Sequence, residues 1–504
     1  LHLGLLRGDL WITVVNTDYR GEAMKVTLVR HTADAYETAV ASARTCYSYD
    51  PFLPEDVSST EKRRDLRDEI ARSTLAAGHL TTRQHAHFTF LIQGVSRGAV
   101  WSFLHSHPHY NSEQVSQQRA EAKPDAFVVP DGMGPEGQAA WAELVAYQLK
   151  AHRDVAASLF PSVAAGYFRR FPARRRNAAK YEPVIRRLCL DDARYLLPLG
   201  MKANLYHTVS ALTLLRYLRM AKRYEFAEET AELCRQMLEC VLNVDPLFDN
   251  DVERVADGEH PWALDDRGQI PWDIDSATQA LGEDLSALLD VSGSIELDDE
   301  MLSGAMDPTV NAALLDNLNL YAMDRRSQLM EFVQFTFLKG LSLAADAQSQ
   351  RHRAIRRYQT LLPDEFPSCD EIRVPYKVRR CEDTRRLYER HVSEIVERGQ
   401  ALPRDDPSAV RYGLPNGYVT RSLEAGSLLG FYHRWKMRLC LLAQDEIRQS
   451  AEEEVRDVMR VAPLQWVGPP CHVRHWGGAR PICPERERFC GVRVWEMPVG
   501  GTGC

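Results

Sequence analysis

The sequence predicts two related domains in tandem, and two observations lead to this fold class. The chain has 504 residues, which is more than one ordinary domain contains and suggests two or three. Three landmarks also recur in the same order in its two halves. These are an FTF strand followed by Gly and Ser, an Arg-Tyr-x-Leu-Pro segment, and an arginine after a helical stretch. An ordered repeat of this kind indicates a duplicated domain.

The landmarks of the first half have counterparts in the second. The pairs are Phe88–Phe90 with Phe335–Phe337, Arg194–Pro198 with Arg411–Pro415, and Arg219 with Arg438. The alternative is two unrelated domains that share common tripeptides. One shared tripeptide would mean little, but three in the same order favour duplication.

Local patterns predict both strands and helices. Strands are expected over 24–30, where β-branched residues are frequent, and over 86–95. Apolar residues at helical spacing predict helices over 62–78, 134–160, 208–220, 226–242, 383–399 and 439–459. The span 244–300 is rich in Asp, Pro and Gly, which predicts a surface connection between the domains.

Composition narrows the class of protein. Apolar residues make up 44% and charged residues 26%, as in soluble globular proteins. The net charge of -8 argues against a general nucleic-acid coat, so anion binding would need local clusters of Arg and His. No apolar run approaches the ~18–20 residues of a membrane helix. The 11 cysteines mostly stand alone in apolar or helical contexts, which favours a reducing cytoplasm.

Arg351, His352 and Arg353 form a compact cationic cluster in the second half. Guanidinium groups bind phosphate through paired, charge-assisted hydrogen bonds and also stack on flat rings. The alternative is a solvated basic face, because Arg356 and Arg357 follow closely.

The corresponding run of the first half, 105–119, contains three histidines at alternate positions. Pro108 breaks their regular spacing, and the neighbouring side chains are not soft ligands, so a metal site is not expected. The hydroxyl and amide side chains instead favour a polar loop that binds a nucleotide.

These residues resemble the flavin-dependent thymidylate synthase (ThyX) family. The family pattern is an H-x-x-FTF strand, a G-x-SR segment and the loop R-H-R-x-x-S-x-x-x-x-S-x-R. The first half matches with HAHFTFLIQGVSR and SEQVSQ, and the second half supplies RHR. Ala443–Ile447 also looks like the family's A-Q-x-E-I helix. The resemblance covers nearly everything from Met24 to Trp495 except the junction.

We divide the chain accordingly into domains and connecting segments. Residues 1–23 are interpreted as a leader that need not be native protein, because MKVTLVRH from Met24 reads as a natural start. The remaining boundaries are a first ThyX-like domain over 24–250, an acidic junction over 251–300, a second ThyX-like domain over 301–468 and a Cys-containing tail over 469–504.

The resemblance implies an α+β fold, in which each half packs helices on a mostly antiparallel sheet and the two halves form a pseudo-dimer. A homodimer of chains would then reproduce a four-domain assembly. The implied activity is flavin-dependent C5 methylation of a uracil nucleotide, from dUMP to dTMP. FAD would be the cofactor, and NADPH and methylenetetrahydrofolate the co-substrates. No nucleic acid, membrane or metal is expected.

The resemblance also implies roles for individual residues. Arg219 and Arg438 are expected to act as catalytic residues at the carbonyl edge of uracil. Nucleotide binding is expected from Glu113, Gln114, Ser116, Gln118 and Arg119. Flavin binding is expected from His85, Arg97, Arg351, His352, Arg353 and Gln444.

Each half departs from the family pattern where the other half keeps it. The first has HSH, to within one residue of alignment, where the family has RHR. The second follows RHR with AIRRYQTLL, which lacks the Ser and Glu of the nucleotide loop. A site to which both halves contribute is therefore expected, and the sequence leaves open whether the chain has one or two such sites.

Two other functions remain open. Gln118 stands where the family has an arginine, so UMP, rather than or besides dUMP, is an alternative substrate, as in relatives of nucleoside-antibiotic pathways. The chain could also be a degenerate, non-catalytic nucleotide- or zinc-binding paralogue. Its zinc ligands would be Cys471, His472, His475, Cys483 and Cys490. Their spacing does not match paired CxxC motifs, which favours a coil-rich tail packed on the second domain.

Overall fold

Two antiparallel sheets of four strands organise the protein. The structure is a computed structural model that describes residues 23–116, 126–130, 133–256, 281–282, 284–293, 299–403, 407–461 and 464–497. The first sheet contains β1 (Lys25–His31), β2 (His87–Ser96), β3 (Asn111–Gln114) and β4 (Lys202–Ser210). The second contains β5 (Ser286–Gly293), β6 (Val333–Ser342), β7 (Arg356–Gln359) and β8 (Val419–Ser427). Their spatial orders, β1-β2-β4-β3 and β5-β6-β8-β7, are the same, which confirms the duplicated α+β fold.

The helices pack around these sheets. The first half contains α1 (Ala35–Thr45), α2 (Glu61–Ala76), α3 (Pro135–Arg170), α4 (Ala178–Ala193), α5 (Ala211–Met220), α6 (Ala227–Leu242) and α7 (Asp249–Ala256). The second contains α8 (Asp299–Met306), α9 (Leu343–Ser349), α10 (Glu382–Gln400), α11 (Pro407–Gly413), α12 (Leu428–Arg438), α13 (Asp445–Val461) and α14 (Pro470–Trp476). Gly78, which follows α2, has a φ of 76°, a conformation open to glycine without steric cost.

Corresponding residues of the two halves follow from strand pairing. Phe90 lies opposite His207 in the first sheet, and Phe337 lies opposite Glu424 in the second. Ser210 and Ser427 end β4 and β8, and each accepts a hydrogen bond that caps the helix behind it. The predicted helix over 208–220 is therefore wrong at its start, because its first residues complete β4.

The span 244–300 contains regular structure that its composition concealed. Helix α7 begins at Asp249, and β5 pairs with β6, with Leu288 opposite Phe337. The prediction of an irregular surface connection is therefore wrong for α7 and for β5. β5 exposes most of its residues and is held by backbone pairing rather than by an apolar face, so side-chain pattern alone could not identify it.

Both halves contribute to the largest hydrophobic core. It includes Phe88 and Phe90 from the first half and Tyr388 and Tyr412 from the second. A separate core of the second half contains Phe335, Phe337 and Trp435. Helix α3 of the first half packs on α10 of the second, with Ser158 and Thr384 joined by a 2.7 Å hydrogen bond between their hydroxyls.

The halves exchange equivalent backbone contacts around Pro198 and Pro415, which pair directly. The amide of Gly200 donates to the carbonyl of Tyr412 over 2.7 Å, and the amide of Gly417 donates to the carbonyl of Tyr195 over 2.7 Å. The two Arg-Tyr-x-Leu-Pro segments therefore pair with each other, which explains why this landmark recurs.

The tyrosines of these segments make matching side-chain contacts. The hydroxyl of Tyr412 donates to Glu229 over 2.9 Å, and the hydroxyl of Tyr195 donates to Glu446. Each glutamate also accepts from the serine that ends the central strand of its own half, Ser96 or Ser342. Each half therefore completes a hydrogen-bond network in the other.

None of the helices in the described ranges has the length and apolar character needed to cross a membrane.

Candidate functional site

The first-half loop faces the Arg-His-Arg cluster of the second half. Nη2 of Arg351 donates to both carboxylate oxygens of Glu113, at 2.9 and 3.0 Å. Nη2 of Arg353 donates to Oδ1 of Asn111 over 3.0 Å, and its guanidinium lies 5.3 Å from the ring centre of Tyr110. The structure thus brings together the two segments from which the sequence predicted a shared site.

Strand register settles how this loop corresponds to Arg351–Arg353. Ser112 lies opposite His207, and Arg357 lies opposite Glu424, so Ser112 and Arg357 are equivalent. Counting back five residues from each pairs His107 with His352. The first-half counterpart of the Arg-His-Arg cluster is therefore Ser106-His107-Pro108, one residue later than the HSH alignment.

His107 belongs to a partly buried chain of hydrogen bonds. Its Nδ1 accepts from the backbone amide of His109 over 3.1 Å, so its proton is on Nε2, which lies 2.9 Å from the hydroxyl of Tyr217. That hydroxyl then donates to Nε2 of His207, also 2.9 Å away. We infer these tautomers from the hydrogen-bond pattern. Both ring nitrogens of His107 are engaged within the protein, which leaves neither for a metal.

His105 and Tyr110 continue this aromatic wall. Their rings stack with centres 4.7 Å apart and planes 4° from parallel. Burial, followed by the nearby Arg351, lowers the pKa of His105 to about 3, and burial also lowers the pKa of His107 to about 4. Both rings are therefore neutral near pH 7. The loop presents flat, neutral side chains beside the second-half arginines.

Arg438 contacts the Arg-His-Arg cluster through His352. Its Nε donates to Nε2 of His352 over 2.8 Å, and its Nη2 donates to the carbonyl of Gln348 over 2.9 Å. His352 is consequently neutral, with its proton on Nδ1, and burial and Arg438 hold its pKa well below the usual range. Burial, with Arg434 and Arg351 nearby, also lowers the pKa of Arg438 to about 10. Arg438 thus lies beside the predicted flavin-binding residues.

Arg219 has a different setting, and the predicted equivalence of Arg219 and Arg438 is wrong. Counted from the cap serines Ser210 and Ser427, Arg219 corresponds to Lys436. Its Nε donates to the carbonyl of Val255 in α7 over 3.0 Å, at the exposed surface. The sequence reasoning missed Arg216, one helical turn earlier, which is the arginine of this helix that acts electrostatically on His107 and His109.

Arg97 joins the base of the first-half loop. Its Nη1 donates to Oε1 of Gln114 over 2.8 Å, and its Nη2 donates to the carbonyl of Val115. Burial and the nearby Arg194 lower the pKa of Arg97 to about 9. Two residues predicted for different ligands therefore touch each other. Ser116 ends this described stretch, and Gln118 and Arg119 lie outside the described residues.

The structure assigns other contacts to two predicted flavin-binding residues. His85 is exposed at the end of a short turn, and its carbonyl lies 3.4 Å from Nδ1 of His87. Gln444 is buried, and its amide group donates to the hydroxyl of Tyr195 and accepts from the backbone of Ile447 over 3.0 Å. Gln444 therefore caps α13 and joins the two halves.

A hydrogen bond between Trp101 of the first half and Asp346 of the second half lies beside the Arg-His-Arg cluster. Nε1 of Trp101 donates to Oδ2 of Asp346 over 2.8 Å, and Arg357 pairs with the same carboxylate. The side chain of Gln350 donates to the carbonyl of Trp101 over 2.9 Å, directly before Arg351 in the chain. These contacts set the position of the arginines. No sequence motif marks them, because their partners are about half the chain apart.

Several buried polar atoms around this surface have no hydrogen-bond partner within the described residues. They are Nε of Arg97, Nε2 of His105, Oγ of Ser112 and Nδ1 of His352. Unpaired buried donors and acceptors are rare in native proteins, and a polar ligand can satisfy them. Together with the exposed guanidiniums of Arg351 and Arg353 and the ring of Tyr110, they fit a flat, phosphate-bearing ligand such as a flavin nucleotide.

Comparison with known proteins adds an independent finding. The family model described as "Thymidylate synthase complementing protein" matches residues 27–247 and 291–464. A flavin-dependent thymidylate synthase of Geobacter sulfurreducens is 32% identical over 174 residues, 32% of this chain and 70% of that protein. One of Clostridium tetani is 24% identical over 235 residues, 45% of this chain and 86% of that protein.

Two solved structures show weaker similarity. The flavin-dependent thymidylate synthase ThyX of Helicobacter pylori, complexed with FAD and dUMP, is 16% identical with a TM-score of 0.29, over 43% of this chain and 93% of that chain. The UMP/dUMP methylase PolB of Streptomyces cacaoi, bound with 5-Br dUMP, is 19% identical with a TM-score of 0.29, over 46% and 95%.

Proposed function

Because the chain belongs to the family of thymidylate synthase complementing proteins, we propose that it is an FAD-dependent enzyme that methylates C5 of a uracil nucleotide. The substrates are dUMP, methylenetetrahydrofolate and NADPH, and the product is dTMP. The contact between Glu113 and Arg351 carries the proposal within the structure, because it joins the nucleotide loop of one half to the flavin-binding cluster of the other.

Arg351 and Arg353 hold the phosphates of FAD in this proposal. The side chains of Arg351 and Glu113 are 53% and 79% exposed, and an ion pair this exposed contributes only about 0–1 kcal/mol. A phosphate can therefore displace Glu113 at little cost. Tyr110 and His105 provide neutral flat surfaces beside these arginines, against which a flat ring can pack.

The nucleotide is held by the first-half loop. Ser116 offers a hydroxyl, and Glu113, once released from Arg351, offers a carboxylate that accepts from sugar or base donors. Arg97 holds Gln114 and the carbonyl of Val115, so it fixes the backbone directly before Ser116. Arg97 is thus a positioning residue for the nucleotide loop.

When bound, FAD would supply the hydride that completes the new methyl group. The protein residues orient the ligands in contact, which lowers the entropic part of the barrier. Arg438 is better placed than Arg219 to act on uracil, because it contacts His352 within the cluster. A guanidinium at the carbonyl edge stabilises the negative charge that develops on the ring.

One site per chain follows from the asymmetry of the halves. The position related to Arg351–Arg353 carries Ser106-His107-Pro108, which lacks both guanidiniums, so the second copy of the site lacks its phosphate-binding groups. We therefore propose a stoichiometry of one FAD per chain.

A competition assay tests the proposal. Purified protein receives FAD, NADPH and methylenetetrahydrofolate with equal concentrations of dUMP and UMP, and mass spectrometry detects C5-methylated products. Methylated dUMP supports thymidylate synthesis, and methylated UMP assigns the chain to modified-nucleoside biosynthesis instead. Absence of both products from protein that binds FAD would contradict the proposed reaction. Absence of FAD binding as well would favour a degenerate binding protein.

A further inference from the structure

Four cysteines that are far apart in sequence line one pocket of the second half. They are Cys440, Cys471, Cys483 and Cys490, and all four thiols are free. Leu441, Pro469 and Phe489 supply apolar lining. A free cysteine usually packs as a single small apolar residue, so four cysteines from separate parts of the chain around one pocket require an explanation beyond packing.

The pocket lies between the C-terminal tail and the residues that follow α12. Cys440 follows the end of α12, Cys471 lies in the seven-residue helix α14, and Cys483 and Cys490 lie in the segment behind it. From 464 to 497 the structure has only α14 and short 3₁₀ turns. A segment with so little regular structure has few internal contacts, and small units of this kind are often stabilised by a metal.

The histidine of this region with the largest buried fraction is engaged elsewhere. Nε2 of His472 lies 3.0 Å from the carbonyl of Met497. The ligand set considered from sequence, which combined the tail cysteines with His472 and His475, therefore differs from the group around the pocket. Cys440 was missed because it lies 31 residues before Cys471 and outside the tail.

We propose that Cys440, Cys471, Cys483 and Cys490 bind one structural Zn²⁺ ion. Four thiolates form the tetrahedral, closed coordination that structural zinc sites use, and sulfur ligands select zinc over harder divalent cations. Binding forms four Zn–S bonds and releases the four thiol protons to solvent, with no change of oxidation state.

The thiols must turn toward each other to bind the ion. Among the described residues, no three His, Cys, Asp or Glu side chains are already arranged to hold a metal. Each cysteine side chain has a single rotatable bond before its sulfur, so a change of χ1 rotamer brings the sulfur to another face of its Cβ. The pocket among the four residues provides space for this movement.

The position of Cys440 links this ion to the flavin site. Cys440 lies two residues beyond Arg438, whose guanidinium contacts His352. An ion bound to Cys440 would fix the end of α12 and hold the tail against it. Zinc therefore stabilises the second half, and its binding does not depend on the proposed methylation.

Metal content of the full-length chain tests the site. The protein is purified under reducing conditions, dialysed against EDTA and measured by inductively coupled plasma mass spectrometry. We expect one zinc per chain and no stoichiometric iron. Replacement by Co²⁺ should give the intense sulfur-to-cobalt charge-transfer and visible absorption of tetrahedral four-thiolate coordination. Fewer than about 0.2 zinc per chain, even after refolding with Zn²⁺, would overturn the proposal, as would an iron–sulfur spectrum.

Single substitutions identify the ligands. Cys440→Ser and Cys483→Ser should each reduce bound zinc at least fivefold after EDTA dialysis, whereas Cys369→Ser, at an exposed cysteine of the same half, should retain it. Zinc that remains stoichiometric in both pocket variants would refute the assignment. If the variants do not fold, the cobalt spectrum of the unmodified chain still decides. FAD binding is measured separately, so failure of the zinc proposal is distinguishable from failure of the proposed activity.

Discussion

Arg351 of the second half donates two hydrogen bonds, of 2.9 and 3.0 Å, to the carboxylate of Glu113 in the first half. Both side chains are more than half exposed, so the pair is screened by solvent. The contact therefore aligns the loop and the cluster but leaves the guanidinium available to a stronger anionic partner. A phosphate is such a partner, because it accepts paired hydrogen bonds from arginine.

Arg351→Ala should weaken FAD binding. A hydrogen bond to a charged group contributes about 1.5–3 kcal/mol, so the Kd for FAD should rise about 10- to 100-fold. Fluorescence titration with FAD measures the change, and Arg390→Ala, at an exposed arginine of α10, is the matched control. An unchanged Kd would contradict the proposed role of Arg351 in flavin binding.

Ser116→Ala should weaken nucleotide binding while FAD remains bound. Loss of one hydroxyl that binds a charged phosphate should raise the KM for dUMP about tenfold. Steady-state kinetics at saturating FAD measures this, with Ser73→Ala on the exposed face of α2 as control. Loss of FAD with no change in KM would assign Ser116 to the cofactor instead.

Tyr412→Phe should destabilise the protein more at high pH than at low pH. Burial raises the pKa of Glu229 above its ordinary 4.5, and the hydrogen bonds from Ser96 and Tyr412 partly oppose this. A raised carboxyl pKa means that ionisation costs stability as pH rises above 4.5, and the tyrosine hydroxyl offsets part of this cost.

Without that hydroxyl, the free energy of unfolding should fall by about 1–3 kcal/mol at pH 8 and by less at pH 5. Urea unfolding at both values measures the difference, and Tyr49→Phe at a fully exposed tyrosine is the control. An equal loss at both pH values would show that the Tyr412 hydroxyl does not support the ionised carboxylate.

His105→Phe should reduce the acid sensitivity of the fold. The pKa of His105 is lowered from 6.5 to about 3. Between these two pH values the unfolded chain binds a proton at His105 that the folded chain does not bind. The contribution of His105 to the free energy of unfolding is therefore fully present above pH 6.5. It is lost as the pH falls below 6.5, at about 1.4 kcal/mol per pH unit for one histidine.

The phenylalanine variant should lose less stability than the unmodified protein between pH 6.5 and 4.5. Urea unfolding across this range measures the slope, with His79→Gln at an exposed histidine as control. Identical slopes for the variant and the unmodified protein would show that His105 does not remain neutral in the folded state.

The sequence pattern correctly predicted the helices and strands whose formation depends on residues close in the chain. The FTF strands, the helix over 226–242 and the helix over 383–399 lie where their apolar spacing indicated. The pairing of the two Arg-Tyr-x-Leu-Pro segments explains the repeat, because each segment serves the other half. β5 was not predicted because its stability comes from a partner strand and not from its own composition.

Residues whose role depends on distant contacts were harder to assign. Arg219 and Arg438 look equivalent by their helical context, yet their distances from the capping serines differ by two residues and place them differently. Gln444 fits a family motif, and the structure assigns it to a helix cap and to Tyr195. Trp101 and Asp346 carry no motif, because their contact exists only after the halves pack together.

The central claim is that both halves contribute to one methylating site, and single-turnover methylation tests it most directly. The unmodified chain, Arg351→Ala and Ser116→Ala each receive FAD, NADPH, methylenetetrahydrofolate and dUMP, and C5-methylated nucleotide is measured per chain by mass spectrometry. We expect product from the unmodified chain and at least a tenfold slower reaction in both variants at subsaturating ligand. Full turnover and full FAD occupancy in both variants would contradict the shared site.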